Sequence, residues 1–254
     1  MNSHDSDHVP ASGFALQVEK LYSELTASAG SEPATAAESG FLLGGKLLFA
    51  GELDCQSRPL VVAAGIAGAA SLSASCDPAV QRQSIREGIV DFSVNSLGEA
   101  LRILKNEIRR RRPVAVFLAL PAGASIADFE RELIDRGVAP DLREPAQLSA
   151  APGGTLLLWS AASGTSLWLP RLDALAASCL EPEEAAAHQW LRLAPRYLGR
   201  LAQGVRLLRC REESAARFLA ELGRRIESGE IAVEIEMRRG TGGQFGLHRF
   251  PSPR

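Results

Sequence analysis

Between residues 44 and 141 the sequence alternates short apolar runs with stretches of helical periodicity, and few folds accommodate that order. Residues 46–50 read as a buried strand, 59–70 as a helix of small residues, and 71–75 as a second strand. Asp77-Pro78 then supplies a helix N-cap with proline at the first helical position, and Gly88 ends the helix that follows. Ser96 with Glu99 three residues on forms a capping box for a helix through Leu101, Leu104 and Ile108. Pro113 breaks that helix, and 114–120 is apolar on both faces, as central strands of parallel sheets are. Ser125 and Asp128 open another helix, closed by Gly137. Strands separated by helices favour parallel pairing through crossovers. The rhythm therefore predicts an α/β fold, a Rossmann-like doubly wound, mostly parallel sheet with flanking helices.

Outside this stretch the pattern loosens. Residues 1–12 are polar and acidic and read as a disordered tail, unlike a secretory signal or transit peptide. Phe14, Val18, Leu21 and Leu25 recur at helical spacing, so 13–40 reads as a short amphipathic helix and a Ser/Ala/Gly/Pro-rich linker. One α/β domain is expected over 41–238. Its C-terminal half holds a strand at 155–159, helices at 182–203 and 212–228, and strands at 205–208 and 231–237. Residues 239–254, glycine-rich at 240–246, read as a flexible tail. No helix can follow those glycines, so they lack the strand-loop-helix setting of a nucleotide loop.

Charge narrows the function classes. The chain carries 28 Lys+Arg against 30 Asp+Glu, net −2, which argues against a nucleic-acid partner held by bulk charge. The longest apolar run, 60–70, is interrupted by Gly65 and Gly68 and is too short to span a bilayer. No membrane partner is expected, and the expected place is cytoplasmic. Cys55, Cys76, Cys179 and Cys210 include no C-x-x-C pair and are expected as reduced thiols. His4 and His8 lie in the tail, where nothing fixes a ligand geometry, so no metal site is expected. Arg109 to Arg112 close a helix, where cations complement its dipole. His188 has no nucleophile motif beside it and reads as structural. No residue is assigned a catalytic role.

In a sheet of this kind the first strand-turn-helix carries the glycines that let backbone approach a pyrophosphate. Here the turn reads Gly51-Glu52-Leu53-Asp54-Cys55-Gln56-Ser57-Arg58, with one glycine and two carboxylates. Arg58 offsets part of the repulsion but cannot supply backbone room. At the end of the second strand, where an acidic residue would hold ribose hydroxyls, stands Ser75. Asp77 follows just beyond, better placed to cap the next helix. Gly51, Arg58, Ser75 and Asp77 are the candidate vestigial cofactor positions. If the loop is only a vestige, glycine at 52 and 54 should change stability by no more than about 0.3 kcal/mol.

An ordered series runs through these elements. It comprises Gly45-Lys46-Leu47, Ala50-Gly51, Pro59-Leu60, Gly68-Ala69, Cys76-Asp77-Pro78, Arg86-Glu87-Gly88, Asp91, Ser96 to Leu101, and Arg136-Gly137-Val138-Ala139-Pro140-Asp141. Over about residues 44–145 the chain thereby resembles the central Rossmann-type domain of urocanase (urocanate hydratase). The resemblance implies an NAD-binding fold, yet only Gly51 remains of the family's Gly-Leu-Gly-Gly-Met-Gly-Gly run. Ser75 stands where the family has an acidic residue, and Pro121-Ala122-Gly123-Ala124 replaces its Gly-Asn-Ala loop. The family's Thr-Asp-Gln-Thr-Ser-Ala-His segment becomes Leu142-Arg143-Glu144-Pro145-Ala146-Gln147, and its Asp-Tyr-Gly-Asn-Asn segment has no counterpart. The expectation is a urocanase-like pseudoenzyme without NAD, an interaction or regulatory module linked to histidine catabolism. Its partner would be a full-length urocanase or a second copy of itself. The alternatives are a divergent NAD-dependent urocanate hydratase-type lyase, and a small-molecule sensor using the cleft at the strands' carboxyl ends.

Overall fold

The computed structural model describes residues 8–28, 40–143, 153–161, 166–199, 201, 204–241 and 244–250. The chain divides into two compact units, residues 20–149 and residues 1–19 together with 150–254. Helix α1 (His8–Ser28) opens the described chain, and the division falls within it, after Glu19. Its first five residues belong to the segment read from sequence as a disordered tail. That reading is corrected for 8–12, because Pro10 is tolerated in a first helical turn. Residues 1–7 and most of the expected linker, 29–39, lie outside the described residues.

The unit of residues 20–149 is an α/β sheet built in the expected order. Its elements are β1 (Leu47–Glu52), α2 (Ser57–Ala67), β2 (Ala70–Ser75), α3 (Pro78–Glu87), β3 (Phe92–Val94), α4 (Leu97–Arg109), β4 (Val114–Ala119), α5 (Ile126–Asp135) and β5 (Leu142–Arg143). The five strands are all parallel, in the order β3-β4-β2-β1-β5, the Rossmann-like doubly wound arrangement. Strands β3 and β5 were not among the expected elements. At three and two residues they are too short to show a period.

Alternation along each strand divides the core between two faces. Leu47 and Phe49 of β1, Leu72 of β2 and Val116 of β4 pack with Leu101 and Leu104 of α4 and Leu133 of α5. Leu48 and Ala50 point the other way, the side of α2, a helix buried at every position except Arg58. Burying each leucine side chain contributes about 1.5–3 kcal/mol. Two aspartates of the ordered series tie strand starts together. Asp141 Oδ2 accepts the Leu47 N–H at 2.8 Å, and Asp91 Oδ2 accepts the Ala115 N–H at 2.8 Å.

The other unit is built on an antiparallel sheet ordered β7-β6-β8-β9. Its elements are β6 (Thr155–Ala161), α6 (Leu169–Ser178), α7 (Ala185–Leu198), β7 (Val205–Cys210), α8 (Glu212–Glu227), β8 (Ile235–Thr241) and β9 (Gln244–Phe250). Trp159 of β6 is fully buried, its ring 5.4 Å from that of Phe218 on α8. On edge strand β7 the Leu207 carbonyl accepts the Trp190 indole N–H of α7 at 2.5 Å, which covers the edge. The sequence reading carries one domain through this region, with helices at 182–203 and 212–228, and the second is present as α8 while the first differs. The described helix α7 is shorter, with Pro195 inside it, and α6 precedes it. The reading of 239–254 as a flexible tail is corrected for 239–241, the end of β8, and for 244–250. The latter segment is β9, antiparallel to β8 from Thr241↔Gln244 to Ile235↔Phe250. Its apolar alternation at Phe245 and Leu247 suits a strand.

Candidate functional site

The connection leaving β2 runs to β3 on one side and the connection leaving β4 runs to β5 on the other, so the chain connections diverge between β2 and β4. In open α/β sheets ligands bind outside the carboxyl ends of the strands at such a point. The turn from β2 into α3 borders that point, and the turn from β1 into α2 lies next to it at the same end of the sheet. The segment after β5 lies outside the described residues.

A register shift falls between Phe49 and Gly51, and Gly51 takes a left-handed conformation with φ of 66°. A Cβ there would meet nothing within 4 Å, so this glycine serves the bulge and not a close backbone approach. Beyond it the turn folds onto itself. Asp54 Oδ1 accepts the N–H groups of Gln56 at 2.8 Å and Ser57 at 2.9 Å. The Ser57 hydroxyl donates to the Glu52 carbonyl at 2.6 Å and accepts the Asp54 N–H at 2.9 Å. The Arg58 N–H donates to the Asp54 carbonyl at 3.2 Å, and Pro59 has no N–H to give.

The start of α2 is thereby sealed. A helix N-terminus attracts anions through its unpaired N–H groups and its dipole. Here Asp54 supplies the anion and consumes those donors, while Glu52 adds a second exposed carboxylate. Arg58, the one cation of the turn, forms an ion pair with Glu87 at the end of α3. Burial pulls its guanidinium down from the ordinary value, against an opposing pull from Cys55. The turn does not fit a pyrophosphate. The sequence alone treats Glu52 and Asp54 as repulsive charges; the Asp54-x-x-Ser57 spacing was the signal for a cap.

Each remaining helix of this sheet starts on a local cap too. Buried Ser75 accepts the Asp77 N–H on its hydroxyl at 3.1 Å, and Asp77 Oδ1 accepts the Ala79 N–H at 2.7 Å, capping α3. Ser96 Oγ accepts the Glu99 N–H at 3.3 Å on α4, and Ser125 Oγ accepts the Ala127 N–H at 3.1 Å on α5. Gly51 and Arg58 thus belong to one turn and Ser75 and Asp77 to the next, at the same end of the sheet.

Other candidates hold structural posts. His188 Nε2 lies 3.1 Å from the Glu181 carbonyl, an acceptor only, so that nitrogen carries the proton. Arg110 sits 3.6 Å from Glu107 at the end of α4. In the second unit a recess between α1, α7 and β7 is walled by Ala15, Trp190, Leu191, Ala194, Leu198 and Leu207, without a cluster of polar groups. Among the described residues no group of three His, Cys, Asp or Glu is placed to hold a metal ion, and no described helix is long and apolar enough to cross a membrane. His4 lies outside the described residues. No protein-family model matches the chain.

Proposed function

We propose that this chain is a urocanase-like protein that has lost NAD binding and catalysis and acts as an interaction or regulatory module. One observation carries the reading. The Asp54 carboxylate holds the N–H groups of Gln56 and Ser57 at the start of α2, where a dinucleotide's pyrophosphate would rest. A bound pyrophosphate would displace Asp54 and face Glu52, with Arg58 already engaged by Glu87. The residues kept from the urocanase series support the same view, because they do the work of folding. Asp91 and Asp141 tie strand starts, and Asp77 and Ser96 cap helices. The partner in this reading is a full-length urocanase or a second copy of the chain, in the cytoplasm, within histidine catabolism.

Purified protein tests the reading through its ultraviolet spectrum, mass spectrometry for co-purified NAD, and loss of urocanate absorbance. The expected result is neither NAD nor turnover, with capture of a full-length urocanase from the same source. Stoichiometric NAD, or any turnover, overturns it in favour of a divergent hydratase-type lyase. Absence of NAD, turnover and urocanase capture together favours the sensor.

A further inference from the structure

The parallel sheet places two surface thiols on neighbouring turns. Cys55 and Cys76 are exposed, whereas Cys179 and Cys210 are buried. Strands β1 and β2 pair directly, and beyond their last paired residues the Leu53 N–H donates to the Ala74 carbonyl at 2.9 Å. Cys55 and Cys76 each stand two residues beyond that bond, at the same end of the sheet. Both turns are tied at their bases, one by the Asp54-Ser57 web and the other by the Ser75 hydroxyl. The backbone thus holds the two turns side by side and leaves both cysteines at the surface. Each cysteine lies within two residues, at most about 7 Å of chain, of that bond, and a disulfide needs Cα atoms about 4.4–6.8 Å apart, so cross-linking requires the two turns to lean toward one another.

We propose that Cys55 and Cys76 form a reversible intramolecular disulfide on exposure to a peroxide, a redox device on the rim of the sheet's cleft. One thiolate attacks the peroxide O–O bond, takes up OH as a sulfenic acid and releases hydroxide, which leaves as water once protonated. The second thiolate attacks the sulfenic sulfur, forming the S–S bond and expelling the oxygen as a second water. Two thiols give up two protons and two electrons, and one hydrogen peroxide becomes two waters. A dithiol reductant reverses the step. The bond joins the turn before α2 to the turn before α3, so oxidation fixes one helix start against the next. Burial pushes the Cys210 thiol up to about 12, which keeps it out of this chemistry. The device is independent of the urocanase reading.

The test treats the folded full chain with one equivalent of hydrogen peroxide, counts thiols after denaturation and maps the peptides. Two of the four thiols should disappear into a Cys55–Cys76 peptide pair lighter by two hydrogens, and dithiothreitol should restore them. Phenylarsine oxide, which bridges two thiols, should protect both from alkylation in the parent chain but not the remaining one in Cys55→Ser or Cys76→Ser. Oxidation to separate sulfinic acids, cross-links between chains, unreacted thiols, or failure of the arsenical to protect the pair overturns the proposal.

Discussion

The two units cap their helices in opposite ways. In the parallel-sheet unit each of α2, α3, α4 and α5 is capped by a side chain within three residues of the N–H it serves: Asp54, Asp77, Ser96 and Ser125. In the antiparallel unit α8 has no local side-chain cap. Its carboxylate comes from Glu184, which accepts the Arg211 N–H at 2.6 Å across 27 residues. The same carboxylate takes the Ser214 hydroxyl and the Glu181 N–H. The difference teaches where stability is concentrated. Local caps spread small contributions along the chain, whereas Glu184 holds three donors from the starts of α7 and α8 at one buried point.

The largest effect should therefore come from Glu184→Gln. It puts an NH2 group against donors and lowers stability by about 2–3 kcal/mol in urea unfolding, since buried donors lose a charged acceptor. A pH series sharpens this. Burial alone raises the Glu184 carboxyl, but the hydrogen bonds from Arg211, Ser214 and Glu181 outweigh it and hold it below the ordinary value of 4.5. A carboxyl that is more acidic folded than unfolded contributes its stability in full above 4.5 and loses it as pH falls through the folded value. The parent chain should lose this contribution on acidification and the glutamine variant should not. Equal slopes for the two would break the contrast between the units.

The middle effect belongs to Asp54. The sequence reading expected glycine at 52 and 54 to be almost silent. With Asp54 bound to two N–H groups, Asp54→Ala should cost about 1–2 kcal/mol and Asp77→Ala about 1 kcal/mol. Urea midpoints of the two variants check the order. A silent Asp54→Ala would return the turn to the status of a vestige.

These contrasts also explain what could be read from the chain. The caps at Asp77, Ser96 and Ser125 are written within four residues, so the parallel unit's rhythm was visible, and its sheet follows. The strand order was not, because β2 beside β4 depends on pairing across some forty residues. In the other unit the decisive contacts are remote. Glu19 meets Arg209 at 2.7 and 2.8 Å across 190 residues, and the Trp190 indole covers a strand edge 17 residues away. No local pattern encodes such pairs, so the antiparallel sheet went unread and β9 passed for a tail. At the candidate site the composition of the turn was legible, but the direction of Asp54 was not. Its carboxylate looked like an obstacle to a ligand and is a bond to its own helix.

The smallest expected effect lies at the far end of the same sheet, where a local ending is imperfect. Helix α4 closes with the Arg111 N–H on Ile108 and the Arg112 N–H on Glu107, both at 2.9 Å, the paired bonds of a Schellman ending. That ending needs a left-handed residue, and Arg111 has φ of 54°, the one non-glycine with positive φ among the described residues. An L side chain there is strained by about 1–2 kcal/mol. Glycine removes the strain but also removes the Arg111 stem, which is half-buried beside Gly45, and loosens the unfolded chain. The balance should favour Arg111→Gly by about 0.5 kcal/mol, seen as a raised urea midpoint with an unchanged slope. A lowered midpoint would show that the arginine's contacts outweigh its backbone strain, and that even this unit draws on a longer-range contact at a helix end.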